Sequence, residues 1–144
     1  MFLMSGCGGP AREPLPDHYG VFVTSAAALR EMNALSHTRV SQTSQGIGVE
    51  EFDSLSATLP GEGLSFVSYG FDEPLLAKAV EPGKSHRYRV DEIAPLEVQP
   101  VSGRRDTLRF APRAPLQRGG YILSVRGCLE NGWNKRCYYS FAIE

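Results

Sequence analysis

Two apolar stretches near the C-terminus, each alternating with period two, constrain the fold of this chain more than any other feature. Residues 121–125 alternate Tyr121, Leu123 and Val125 with Ile122 and Ser124, and residues 137–143 alternate Cys137, Tyr139, Phe141 and Ile143 with Tyr138, Ser140 and Ala142. Side chains that repeat every second residue lie on one face of a strand, and aromatic and β-branched residues suit a pleated, half-buried surface. Between the stretches lies a polar segment containing Asn131-Gly132, a pair that tolerates the positive φ angles of a tight hairpin turn. Residues 115–144 therefore read as a terminal β-hairpin with Cys128 and Cys137 near its closed end.

A disulfide between Cys128 and Cys137 would close a loop of on the order of 10 residues, worth about 2.5–3 kcal/mol of chain entropy, and would require an oxidising compartment. The other reading is a pair of reduced, buried thiols. Setting the two cysteines directly opposite each other places Ser124 against Phe141 and Arg126 against Tyr139, which sends the two apolar rows to opposite faces. One slipped residue brings both rows to the same face. Gly127 stands where that extra residue belongs, so a β-bulge is expected at or next to it. An unbroken ladder over residues 122–128 would instead require both faces of the hairpin to be covered.

Turn signals punctuate the rest of the chain at short intervals. Tyr19–Val23 reads as a strand; residues 26–32 have a helix-like composition, but their length and position favour the return arm of a hairpin. Residues 36–48 read as a long loop or edge, and 49–52 and 56–59 as short strands. Residues 64–69 read as a core strand that turns at 70–74 and returns over 75–80. Glu81-Pro-Gly-Lys84 suits a type II turn, followed by a half-exposed strand over 85–90. Residues 93–101 carry Pro95 and Pro100, which confine that extended segment to a sheet edge; 106–110 is a further strand. Regular short strands without a long helix point to an all-β antiparallel sandwich closed by a disulfide-tied C-terminal hairpin.

The chain is long enough at 144 residues for one domain with a substantial core. The formal net charge is −1, which gives no overall attraction to nucleic acid. Residues 1–100 hold 7 Lys/Arg against 13 Asp/Glu, and residues 101–144 hold 8 against 3. A sandwich that interleaves the two parts has a mixed surface; a basic face toward an anionic envelope is the sharper alternative. No apolar run reaches the roughly 18 residues of a membrane-spanning helix.

Two local patterns resemble known families. Leu116-Gln-Arg-Gly-Gly-Tyr121 resembles the corner of immunoglobulin-like and fibronectin-like sandwiches. The resemblance implies that Leu116 plugs the core, Gly119 or Gly120 makes the turn, and the Tyr121 hydroxyl bonds back to upstream backbone. Leu3-Met-Ser-Gly-Cys7 resembles the end of a bacterial lipoprotein signal peptide, with Met4 where that family usually has Leu. This implies lipid attachment at Cys7, residues 1–6 as the remnant of a signal peptide, and a cell-envelope location, with secretion as the alternative. Residues 7–17, rich in Gly and Pro, then form a tether, and 18–144 the single sandwich domain.

No catalytic motif is present in the sequence, and His18, His37 and His86 lie far apart without the clustering of a metal site. Neither a cofactor nor a metal is expected. Glu50, Glu51 and Asp53 read as a solvated strand edge rather than a calcium loop. The strongest candidate surface is the loop over 129–136, with Asn131, Trp133, Asn134, Lys135 and Arg136, because a braced loop loses little entropy on binding and Trp and Arg are frequent interface anchors. Alternatively, Trp133 folds back over the end of the sandwich. The expected function is a non-enzymatic binding module for a protein or envelope polymer, held to the membrane by its lipid alone. A carbohydrate-binding module using Trp133 with Tyr138 or Tyr88, or a hydrolase assembled from a Ser, His86 and an Asp, are the competing classes.

Overall fold

The computed structural model describes residues 15–25, 28–36, 39–43, 46–81, 87–130 and 133–144; for Ser25, residues 128–130 and residues 133–134 it describes the backbone alone. Twelve strands are described: β1 (Gly20–Ser25), β2 (Ala28–Glu31), β3 (Val40–Gln42), β4 (Val49–Phe52), β5 (Thr58–Leu59), β6 (Ser65–Tyr69), β7 (Asp72–Val80), β8 (Tyr88–Ala94), β9 (Leu96–Pro100), β10 (Thr107–Pro112), β11 (Gly119–Glu130) and β12 (Trp133–Ile143). They form two sheets, in the orders β2-β1-β6-β10-β9 and β3-β4-β8-β7-β11-β12-β5. The result is the expected β-sandwich, antiparallel except where β5 runs parallel to β12 at Ala142↔Thr58 and Ile143↔Leu59.

The strand over 28–31 is the return arm expected for residues 26–32, paired with β1 through Phe22↔Glu31 and Thr24↔Leu29. Two connections differ from the expected ones. Strands β6 and β7 are not a hairpin: the turn at 70–71 carries the chain from one sheet to the other. Likewise β8 continues to Ala94, and Pro95, which has no N–H to give to a ladder, marks the crossing to β9 at the edge of the smaller sheet. The turn expected at 81–84 lies largely outside the described residues.

The main core fills the space between the sheets. Val21 and Val23 of β1, Phe66 of β6 and Phe110 of β10 meet Leu76, Tyr121, Leu123, Val125, Tyr139, Phe141 and Ile143 of the larger sheet. Aromatic packing runs through its centre, with Phe66 and Phe110 stacked at 5.4 Å, Tyr121 and Phe141 stacked at 5.7 Å, and Phe66 tilted against Phe141 at 5.7 Å. The corner at its base has the form expected of it: the Tyr121 hydroxyl donates to the Gln117 carbonyl at 2.8 Å, Leu116 packs against the core, and Gly119 takes φ +142°.

A second, smaller core lies on the outer face of the larger sheet. On that face Leu35, Ile47, Val49 and Phe52 cover Ala77, Ala79, Ile122 and Tyr138. Backbone and hydroxyl bonds fasten this cover to β12. Leu35 N–H donates to Tyr138 O at 2.7 Å, Ser140 Oγ donates to Ser54 O at 2.6 Å, and the Tyr138 hydroxyl donates to Gly48 O at 2.8 Å. The Glu51 and Asp53 carboxylates are not simply solvated: Arg87 pairs with both and donates to Ser41 Oγ at 3.0 Å, tying β3, β4 and the approach to β8 together.

Replacing Tyr121 by Phe removes a buried hydroxyl and leaves the Gln117 carbonyl without its partner. The expected cost is about 1–2 kcal/mol in denaturant unfolding at constant slope. Tyr139 offers a second check. Burial, reinforced by Glu31, pushes its phenol up to about 12 from the ordinary value near 10. The unfolded state therefore releases this proton first, so stability held below pH 10 falls as pH rises toward 12, by on the order of 3 kcal/mol for a shift of that size. Tyr139→Phe should flatten this alkaline limb in a stability-against-pH series.

Candidate functional site

The ladder joining β11 and β12 is broken once. Pairing runs from Gly119↔Ile143 through Tyr121↔Phe141, Leu123↔Tyr139 and Val125↔Cys137 to Arg126↔Arg136, then resumes at Cys128↔Lys135. Gly127 is the extra residue, with φ +137°. The bulge expected there is present, and it does bring both apolar rows to the main core. Both faces of the hairpin are nevertheless covered, because Leu35, Ile47, Val49 and Phe52 close over the second face. Gly127 also makes a close approach that only a missing side chain allows: a Cβ on it would stand 2.8 Å from Phe71 Cδ1 and 2.9 Å from Gly70 O.

At this bulge the hairpin changes character. Below it, β11 pairs with β7 as far as Arg126↔Asp72. Above it, among the described residues, no third strand pairs with 128–130 or 133–135. The sequence placed a loop over 129–136, but the two strands run to Glu130 and from Trp133, with Glu130 opposite Trp133. Only 131–132 separate them, so the expected loop is instead a two-stranded ribbon with a short tip. Asn131 lies outside the described residues, as do the side chains of Trp133 and Asn134. Cys7 lies outside them too.

Lys135 and Arg136 stand at the base of the ribbon, and Arg136 is not the exposed anchor that its place in a loop suggested. Its side chain is 12% exposed. Nε donates to Ser124 Oγ at 2.5 Å, and Nη2 donates to Ser124 O at 3.1 Å and to Glu73 O at 2.5 Å. Burial lowers the pKa of this guanidinium, and the charge of Arg126 lowers it further; Glu73 acts in the opposite direction. The Glu73 carboxylate reaches both arginines, with Oε2 at 3.1 Å from Arg126 Nε and Oε1 at 4.0 Å from Arg136 Nη1. Arg126 Nε, though close to that carboxylate, has no aligned hydrogen bond. Glu73 holds a φ of +51°, an unusual conformation for a residue with a side chain and one that concentrates at binding sites and turns.

At the ribbon base is an open cleft of ≈ 390 Å³, lined by Gly46, Gly48, Leu75, Arg126, Arg136 and Tyr138 among others. Reading the sequence identified Lys135 and Arg136 here but missed Arg126, Glu73, Gly46 and Gly48. The alternation of Arg126 with Val125 marks it as facing away from the main core, but nothing local marks Glu73 as its neighbour.

Other expectations change at this site. Tyr138 is 5% exposed with its ring in the second core, so it cannot serve as a sugar-stacking platform, and Tyr88 is stacked on Phe52 at 5.4 Å. His18 is held between Asp17 at 2.7 Å and Glu31 at 2.8 Å, contacts that raise its pKa, led by Glu31. His37 and His86 lie outside the described residues, and among the described residues no group of three potential ligands could hold a metal ion. Cys137 is buried in the main core; the side chain of Cys128 is not described.

No protein-family model matches the chain, and no curated protein matches it at a significant level. Among solved structures, selenomethionine PcoC, a copper resistance protein from Escherichia coli, is similar over 66% of this chain and 96% of that one, at 14% identity and a TM-score of 0.43. No residue role is carried over from it.

Gly127→Ala tests the keystone of the site. The added Cβ meets backbone oxygen as well as a ring, in a φ region that side chains avoid, so a loss of at least about 2 kcal/mol is expected. Amide exchange should accelerate first along 124–130 and 70–73.

Proposed function

We propose that this chain is a cell-envelope β-sandwich, lipid-anchored through Cys7, that works as a binding module through the ribbon over 127–136 and the charged cluster at its base. One observation carries the reading: two strands that are covered on both faces up to Arg126 and Arg136 continue past the sheet as a ladder that, among the described residues, no third strand joins. An added strand is a common way for a partner to join such an edge. A bond between Cys128 and Cys137 would hold the ribbon to the sandwich. The burial of Cys137 beside the bulge, with Cys128 resuming the ladder just beyond it, supports this. Such a brace implies folding outside the reducing cell interior, which agrees with the lipoprotein-like context of Cys7. The partner is a protein or an envelope polymer.

Two measurements test this. Mass spectrometry of membrane-extracted protein should show an acylated peptide beginning at Cys7 and a Cys128–Cys137 peptide pair. In intact cells, a photo-cross-linking residue at position 133 should give a discrete adduct, and the same residue at Gln99, on the far edge of the smaller sheet, should not. Equal labelling at the two positions would remove the ribbon as the working surface.

A further inference from the structure

The segment that leads into β1 is fastened to the edge of the smaller sheet through a histidine. We propose that His18 is a pH-dependent clasp: while its imidazole is protonated it locks residues 17–19 to the end of edge strand β2, and on deprotonation the end of β2 loosens. Both ring nitrogens meet carboxylate oxygens, Nδ1 with Asp17 Oδ1 at 2.7 Å and Nε2 with Glu31 Oε1 at 2.8 Å. An ionised carboxylate can accept a hydrogen bond but not donate one, and a neutral imidazole has a single N–H to give. The two contacts can therefore be hydrogen bonds together only in the imidazolium form. Deprotonation leaves a nitrogen lone pair facing a carboxylate, and one side of the bridge opens.

The local structure makes room for this bridge. Strand β2 lies at the end of its sheet and is four residues long, paired with β1. Glu31 is its last residue and stands opposite Phe22, whose ring meets the His18 ring edge to face at 5.2 Å. Gly20 leaves space for the carboxylate: a Cβ there would stand 3.2 Å from Glu31 Oε2. Of the charged groups facing His18, Asp17 belongs to its own segment and Glu31 to β2, while β1 contributes the Phe22 ring. Behind Glu31, the Tyr139 phenol of β12 responds to the same carboxylate. The segment is also held on either side of His18 by contacts that do not involve the imidazole. Arg104 Nη2 donates to Pro16 O at 2.5 Å, and Tyr19 packs edge to face against Tyr69 at 4.8 Å.

The bond to Glu31, and after it the bond to Asp17, raises the imidazole pKa above its ordinary value of 6.5. The clasp is therefore complete at pH 6.5 and is lost as pH rises through the raised value. At the acid end the bond to His18 holds the Asp17 carboxyl below its ordinary value of 3.8, so that arm persists below that pH. What the clasp controls is the opening beside β2. Glu31 and the next residue, Met32, line a cavity of ≈ 270 Å³ between the edges of the two sheets, with Val23, Leu59 and Ser140 among its other walls. The Met32 N–H donates to Val21 O at 2.8 Å, so this bond reports whether that wall is seated on β1.

Magnetic resonance of the isotope-labelled full chain, with imidazole and amide signals followed from about pH 5 to about pH 9, tests the clasp. The His18 midpoint should lie above 6.5; Glu31→Gln should move it down, and Asp17→Asn should move it down by less. Across the wild-type midpoint, protection of the Met32 amide, corrected for the intrinsic pH dependence of exchange, should fall at least about threefold, while that of Leu123 in the main core stays constant. In His18→Gln the Met32 amide should show the lower protection at every pH, without a step. A midpoint at or below 6.5, a midpoint unmoved by Glu31→Gln, or Met32 protection that stays constant through the titration would each overturn the proposal. The first and third of these are read on the unaltered chain, so a variant that failed to fold would not rescue it.

Discussion

The register of β11 against β12 is the constraint on which the rest of the molecule depends, and it is set by one unpaired residue at Gly127. With the bulge, Tyr121, Leu123 and Val125 share the main core with Cys137, Tyr139, Phe141 and Ile143. Hydrophobicity alone would not enforce this, because the opposite face is also buried and accepts Ile122 and Tyr138. The hydroxyls decide the matter. Ser124 and Ser140 lie on the second face, where the first accepts from Arg136 and the second donates to Ser54 O. A one-residue slip of either strand would turn a row of large side chains into the smaller core and move hydroxyls into the larger one. Each hydroxyl left unbonded in an apolar interior costs about 1–3 kcal/mol, against a typical net stability of roughly 5–15 kcal/mol.

The same bulge determines where charge accumulates. Because Gly127 lets the hairpin press against Gly70 and Phe71, the turn leading into β7 is held beside the ribbon, and Glu73 is delivered to Arg126 and Arg136. Arg136 has its hydrogen-bonding needs met mainly by carbonyl and hydroxyl oxygens rather than by a full ion pair. That arrangement satisfies a guanidinium that is largely buried. The contrast with Arg87 is instructive: there Glu51 and Asp53 both pair with one arginine, whose charge is met directly by carboxylates.

Much of the fold was legible because it rests on local rules. Period-two alternation located the hairpin arms, the conflict between that alternation and the cysteine positions located the bulge at Gly127, and the Leu116–Tyr121 pattern located the corner with its hydroxyl bond. What escaped notice depends on contacts between distant parts of the chain. Residues 36–48, rich in Ser, Thr and Gln, carry few apolar side chains, yet Ile47 with Val49 and Phe52 is enough to cover a sheet face that already has the small residues Ala77 and Ala79 to receive them. The 70–74 turn has the composition of a hairpin, and no local rule distinguishes a turn within one sheet from a crossing between two. Arg136 was placed in a loop because the polar run from 130 to 136 lacks alternation, although the ladder continues through it.

The second core gives the candidate site its rigidity. Tyr138 has its ring packed beneath Ile47 and Phe52 and its hydroxyl on the Gly48 carbonyl, and a Cβ at Gly48 would stand 2.6 Å from that hydroxyl. One wall of the cleft is thus fastened to the same strand that supplies Arg136 on the other. A site built across two residues of one strand, with a covering segment locked to it, keeps its geometry without relying on loop conformation. Beyond Arg126, among the described residues, no third strand joins the ladder, so the rigidity that the second core confers belongs to the base of the ribbon.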